Sequence, residues 1–93
     1  MLDWLKSLFG KQPTLLVVIP VAADFPSADE LEIRNRITDE LESQGLGSFV
    51  GSGGGFGTMD FEYEIADIEV AGKMVAKVMQ KHMPDAKYKM SVA

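Results

Sequence analysis

The sequence predicts an α+β domain in the order strand, helix, strand, strand, helix, strand. Four apolar or alternating stretches are typical of strands, and a helix-start signal follows the first and the third of them. The first signal is Ser27 three residues before Glu30, and the second is Asp67 before an amphipathic segment. The chain has 93 residues, a length that fits one domain. No apolar run approaches the roughly 20 residues that a membrane-spanning helix needs.

The first half of the domain is expected to hold a strand and a helix. Residues 14–21 contain a continuous, β-branched apolar run that Pro20 ends, and residues 24–26 form a turn. The Ser27 and Glu30 pair then matches a capping box, so a helix begins there. The helix is expected to end at Gly45. The inward face of this helix is the four-residue repeat Ile33, Ile37 and Leu41.

The second half is expected to hold a hairpin, a helix and a last strand. Residues 48–51 form a short strand and residues 59–66 a longer, alternating one, connected by the glycine-rich segment 51–57. Asp67 caps a helix that runs to about His82, and residues 84–85 end it. Its inward face carries Ala71, Met74, Val75, Val78 and Met79, with Lys73, Lys77 and Lys81 opposite. Residues 86–92 form the last strand.

The order of elements resembles the split βαβ arrangement of ferredoxin-like domains over residues 14–92. The resemblance implies a four-stranded antiparallel sheet in the order 4-1-3-2 with both helices on one face. A second resemblance is carried by Gly45-Leu46-Gly47, by residues 51–60 and by Ala66-Asp67. These stretches are similar to small bacterial proteins of unassigned role with a glycine-rich hairpin between the second and third strands, and they imply no activity.

The composition excludes several classes of function. The chain has no Cys, which excludes disulfides, thiolate zinc sites, iron–sulfur clusters and cysteine nucleophiles. The formal net charge of −5 argues against nucleic acid as the main partner. With 46% hydrophobic residues, the chain is expected to fold as a cytoplasmic globular domain.

Charge is distributed unequally along the chain. Of the 14 acidic residues, 13 precede Val70, whereas five of the nine basic residues follow Glu69. This polarity favours charge-guided contact with a partner or with a second copy of the chain. The alternative is that both halves present solvated faces to water.

The helix-free face of the sheet is predicted to be banded. In the third strand, one face carries Met59, Phe61, Tyr63 and Ile65, and the other carries Asp60, Glu62 and Glu64. In the last strand, Tyr88, Met90 and Val92 lie opposite Lys87, Lys89 and Ser91. The apolar sets are expected to face the helices, which leaves the charged sets on the helix-free face. The first strand is apolar on both faces, so either Leu16 and Val18 or Leu15, Val17 and Ile19 lie in the middle. Such a surface needs a cover: a second subunit, another protein or the first ten residues.

Residues 1–12 are predicted to form an amphipathic helical segment before a domain of residues 13–93. Six of the first nine residues are apolar, and Trp4 is the only Trp of the chain. The segment can pack on the domain or dock on a partner. A membrane surface is the weakest alternative, since only Lys6 and Lys11 complement it.

Other chemistry-bearing residues have weaker patterns. Glycines 51, 53, 54, 55 and 57 suggest either an anion-binding nest or a flexible hairpin, without a phosphate-binding motif. The carboxylates of Asp60, Glu62 and Glu64 suit a basic partner, a hard cation or solvent. His82 is expected to pack or to complement the helix end. Tyr63 and Tyr88 are interpreted as core aromatics with hydroxyls at the rim. We assign no catalytic residue, metal ligand or cofactor.

The sequence therefore predicts a non-catalytic protein-binding or regulatory module, of the adaptor or antidote kind. Its partner is a second copy or a protein with a basic face. The predicted contact residues are Asp60, Glu62, Glu64, Lys87, Lys89, Leu16, Val18 and Trp4. The alternative is a small-molecule-binding or metal-binding protein, or a small enzyme, that uses the glycine-rich hairpin 51–57 and the acidic strand.

Overall fold

The protein has the α+β architecture and the order of elements that the sequence predicts. The structure, a computed structural model, describes residues 12–93. The elements are β1 (Thr14–Pro20), α1 (Ala28–Ser43), β2 (Ser48–Gly55), β3 (Thr58–Glu64), α2 (Ile68–His82) and β4 (Lys89–Val92). The predicted N-terminal helical segment, Trp4 included, lies outside the described residues except for Gln12.

The four strands form one antiparallel sheet in the order β2-β3-β1-β4. This is the predicted order, and the arrangement is consistent with a ferredoxin-like fold. The central strand β1 pairs with β3 over its whole length and with β4 from Leu15 to Val18. Because register fixes which side chains share a face, these pairings decide the composition of both faces.

The hydrophobic core lies between one face of the sheet and the two helices. Alternate residues of the two central strands are buried, as the period of two requires. They form one cluster with residues of both helices, so α1 and α2 cover the same face. The buried cluster contains Leu15, Val17, Ile19, Ile37, Leu41, Leu46, Met59, Phe61, Tyr63, Ile65, Ala71, Val75, Val78 and Met79. The other face of the sheet receives no helix from residues 12–93.

The two ends of α1 confirm the signals read from the sequence. The Ser27 hydroxyl accepts from the Glu30 N–H at 3.1 Å, and the Glu30 carboxylate accepts from the Ser27 N–H at 2.9 Å. At the other end Gly45 has a φ of 75°. The Leu46 N–H bonds to the Leu41 carbonyl and the Gly45 N–H to the Glu42 carbonyl, which is a Schellman motif.

A carboxylate on α1 joins the C-terminal ends of the two helices. Lys81 Nζ and His82 Nε2 lie 2.8 Å and 3.0 Å from the same oxygen, Glu40 Oε1. The hydrogen bond from Lys81, followed by that from His82, holds the pKa of the Glu40 carboxyl below its usual value. His82 therefore packs at the helix end, as expected, and its partner is a carboxylate of the other helix.

The strands β2 and β4 differ most from their predicted bounds. Residues 51–55 are not a loop: they continue β2 and pair with β3, so that only Phe56 and Gly57 form the connection. Glycine lowers strand propensity, but its backbone can still bond to β3, which the core holds in place. The last strand begins at Lys89 rather than at residue 86, because residues 84–85 still belong to a turn and Lys87 precedes the pairing with β1.

Candidate functional site

The face of the sheet opposite the helices, called the open face here, carries three chemically distinct strips. The register aligns them in rows that cross the strands. Val18 lies between Asp60 on β3 and Lys89 on β4, and Leu16 lies between Glu62 and Ser91. Directly paired side chains share a face of the sheet, so each row runs from acid through an apolar residue to a basic or polar one.

The middle of the open face is an apolar strip formed by Leu16 and Val18. Both side chains are half-buried, although no helix within residues 12–93 covers them. The alternative set of Leu15, Val17 and Ile19 is buried in the core. The register thus settles which of the two sets faces outward. Apolar side chains in the centre of an uncovered sheet mark a surface that gains free energy on being covered.

The acidic strip consists of Asp60, Glu62 and Glu64 on β3. Alternate residues of a strand lie about 6.6 Å apart, so the three carboxylates form a line rather than a cluster. Within residues 12–93, no group of three His, Cys, Asp or Glu side chains lies close enough to hold a metal ion. The ion pairs described for acidic residues of this chain involve Glu32 and Glu40 instead. The strip suits contact with separate cations spread along a partner.

The outer strand β2 contributes glycines beside the acidic strip. Gly51 is paired with Glu62 and Gly53 with Asp60, so a side chain at either position would stand on the open face. A Cβ at Gly51 would meet nothing within 4 Å, and its φ is not positive. Neither space nor backbone conformation requires glycine there. The effect of Gly51 and Gly53 is to leave the carboxylates accessible from the β2 side.

The basic edge consists of Lys87 and Lys89 at the β4 side. Both lysines line a shallow hollow of about 230 Å³ together with Val18, Pro20 and Thr58. The hollow lies on the open face at the end of the apolar strip. Its lining is mainly apolar and includes two lysines, so it suits an apolar side chain that ends near a negative charge.

Two exposed phenylalanines lie at the end of the sheet where the β2–β3 hairpin turns. Phe56 is fully exposed with a φ of 55°, and Phe25 is 72% exposed. Backbone hydrogen bonds join the two loops, from the Gly57 N–H to the Asp24 carbonyl and from the Val21 N–H to the Gly57 carbonyl. Sequence reasoning interpreted residues 24–26 and 51–57 as connections and missed this aromatic tip.

Most of the predicted contact residues lie on one surface. Leu16, Val18, Asp60, Glu62, Glu64 and Lys89 belong to the open face, Lys87 lies at its edge, and Trp4 lies outside the described residues. Of the glycines, 51 and 53 face this surface, whereas Gly54 packs against Pro26 on the helix side.

The two tyrosines differ in burial. Tyr63 is fully buried, and its hydroxyl donates to the Thr38 carbonyl at 3.1 Å rather than reaching the rim. Burial, followed by the charges of Glu42 and Asp39, raises the pKa of Tyr63 above its ordinary value. Tyr88 is half-buried against the core. Both are structural residues, and the hydroxyl of Tyr63 secures α1 to the sheet.

Comparison of the chain with protein-family models, with curated proteins and with solved structures found no match. Neither helix of the described part of the chain has the length and apolar character needed to cross a membrane.

Proposed function

We propose that this protein is a non-catalytic protein-binding module of the adaptor or antidote kind, acting in the cytoplasm through the open face. The observation that carries the proposal is the apolar strip of Leu16 and Val18, which no element within residues 12–93 covers and which lies between an acidic strip and a basic edge. Apolar burial would supply most of the affinity, and the flanking charges would set orientation and association rate.

The residue types on the open face favour binding over catalysis. The only His of the chain, His82, lies at the helix ends in contact with Glu40, so the face lacks an imidazole base. The carboxylates of the acidic strip are spread along one strand and do not form a close pair. The glycines that suggested an anion nest lie mostly within β2 and pair with β3. This geometry gives the ligand-binding alternative less support than protein binding.

Site-specific photo-crosslinking tests this proposal. A benzophenone amino acid at Ser91 would lie on the open face beside Leu16, on an exposed edge strand. The matched control carries the same group at Lys73, which is exposed on α2. We expect irradiation of living cells to give one discrete protein adduct from position 91 and none from position 73.

The adduct is identified by mass spectrometry and by its response to a second substitution. Glu62→Lys in the acidic strip should weaken the position 91 adduct, whereas Glu42→Lys on α1 should not. Equal adducts from both positions, or none from position 91, would contradict a binding role for the open face. Thermal shifts with nucleotides or divalent cations provide a separate test, since a large stabilisation would favour the ligand-binding alternative.

A further inference from the structure

We infer that the partner on the open face is a second copy of this chain, related by a two-fold axis that runs along β1 near Val18. The inference rests on the proposed function and names the occupant of the same surface. In this arrangement β1 packs on β1, and the acidic strip of each copy meets the β4 side of the other.

The register across the sheet makes the open face complementary to itself. Asp60 and Lys89 are both paired with Val18, so they lie on opposite sides of it at the same height. Adjacent strands are about 4.8 Å apart, which places the acid and the base equally far from the axis. Rotation about that axis therefore brings Asp60 of each copy opposite Lys89 of the other, twice per dimer.

The direction of the axis follows from charge. An axis in the plane of the interface but perpendicular to the strands would place β3 on β3, so that the carboxylates of Asp60, Glu62 and Glu64 would face their own copies. Like charges facing each other across an interface are unfavourable. An axis along β1 instead pairs acid with base and keeps Leu16 and Val18 in the centre. Stacked sheets lie about 10 Å apart, a gap that an Asp and a Lys side chain can bridge together.

The neighbouring row supports the same register. Leu16 lies between Glu62 and Ser91, so the axis that pairs Asp60 with Lys89 also brings Glu62 opposite a serine hydroxyl of the second copy. The carboxylate can accept a hydrogen bond there and meets no like charge. Gly51 and Gly53 lie outside the overlapping strands and do not obstruct the approach of the second copy's lysine side chains.

Exchange of the two charges tests this arrangement in the full chain. Asp60→Lys places an introduced ammonium group against Lys89 of an identical copy, and Lys89→Glu places an introduced carboxylate against Asp60. Each variant alone should dissociate, with a dimer Kd raised at least about tenfold, which corresponds to ~1.4 kcal/mol. An equimolar mixture of the two variants should recover the dimer, because both contacts of the mixed dimer then join opposite charges. In one contact the two introduced charges face each other, and in the other the unchanged Asp60 faces the unchanged Lys89.

Sedimentation equilibrium on the wild type, the two variants, their mixture and the double variant provides the measurement. The double variant should dimerise with itself, and Glu42→Lys, on α1, should behave as the wild type does. Far-UV circular dichroism checks that each variant is folded; should Lys89→Glu disturb β4, Lys89→Gln replaces it, and it too should weaken the dimer.

Three results would overturn the inference: a wild type that stays monomeric at high micromolar concentration, single variants that dimerise as well as the wild type, or a mixture that does not dimerise.

The crosslinking experiment separates failure of this inference from failure of the proposed function. An adduct between position 91 and a different protein retains the function and removes the second copy as partner. An adduct of twice the chain mass supports both. An internal link from position 91 to residues 1–11 contradicts both.

Discussion

At the scale of single residues, Phe56 combines an unfavourable backbone conformation with full exposure of its side chain. It is fully exposed and takes a positive φ in a two-residue hairpin connection, where Asn, Asp and Gly are preferred. A non-glycine residue in the left-handed region costs about 1–2 kcal/mol, and a bulky one is uncommon there. The burial that could offset this cost is absent for Phe56 among the described residues.

Phe56→Asn is therefore expected to stabilise the protein. Asn tolerates a positive φ, and no buried area is lost, so the free energy of unfolding should rise by about 1 kcal/mol. Urea denaturation measures the change. Phe49→Asn is the control: Phe49 is partly exposed too, but its ring lies 5.4 Å from that of Tyr63, and its loss should destabilise. A Phe56→Asn variant less stable than the wild type would contradict this account of the turn.

The glycines of β2 should respond differently to alanine according to the face on which they lie. A Cβ at Gly54 would come within 2.7 Å of Pro26 Cγ, whereas one at Gly51 would meet open space. Gly51→Ala should raise the free energy of unfolding by about 0.5–1 kcal/mol, because alanine loses less conformational freedom. Gly54→Ala should lower it by about 1–3 kcal/mol, the usual cost of overpacking. Thermal and urea denaturation of the pair decide this, and equal effects would show that Pro26 does not pack on Gly54.

At the scale of elements, the helix boundaries were predictable because their signals are local. The capping box at Ser27 and the Asp67 cap depend on residues three apart, and both are present in the structure. The end of β2 depends instead on pairing with β3, which no local pattern of glycines reveals. The contact between Glu40 and the last turn of α2 joins residues about 40 positions apart, so the sequence did not predict it.

The link between the helix ends should give stability a defined pH dependence. Because the pKa of Glu40 in the folded protein is lowered, its contribution is present above the ordinary Glu pKa and is lost as pH falls through the folded value. Glu40→Gln should therefore lower the urea midpoint at neutral pH. The difference from the wild type should shrink in acid, where both side chains are uncharged.

Glu32→Gln is the matched control, since Glu32 pairs with Arg36 on the exposed side of the same helix. Exposed pairs of this spacing contribute about 0.3–0.5 kcal/mol, so this variant should change the midpoint little. A Glu40→Gln variant with the wild-type midpoint at neutral pH would show that the contact between the helices does not stabilise the fold.

At the scale of the whole molecule, the sequence predicted the composition of the open face but not all of its geometry. Strict alternation in β3 separates Asp60, Glu62 and Glu64 from the core residues by sequence position alone. β1 has no such alternation, so the choice between its two apolar sets depended on its register with β3. The aromatic tip of Phe25 and Phe56 depends on two loops meeting, a contact that no pattern within either loop predicts.

The central claim, that a protein covers the open face, is tested most directly by the reactivity of the lysines. Lys87 and Lys89 lie at the basic edge, whereas Lys73 and Lys77 are exposed on α2, so one molecule supplies both the probe and its control. Brief acetylation of the full chain in extract of its own cells, followed by peptide mass spectrometry, compares them. We predict that Lys89 is acetylated more slowly than Lys73 and Lys77. This difference in rate should disappear after dilution and in the Glu62→Lys variant. Equal labelling of Lys89 and Lys73 before and after dilution would contradict the account.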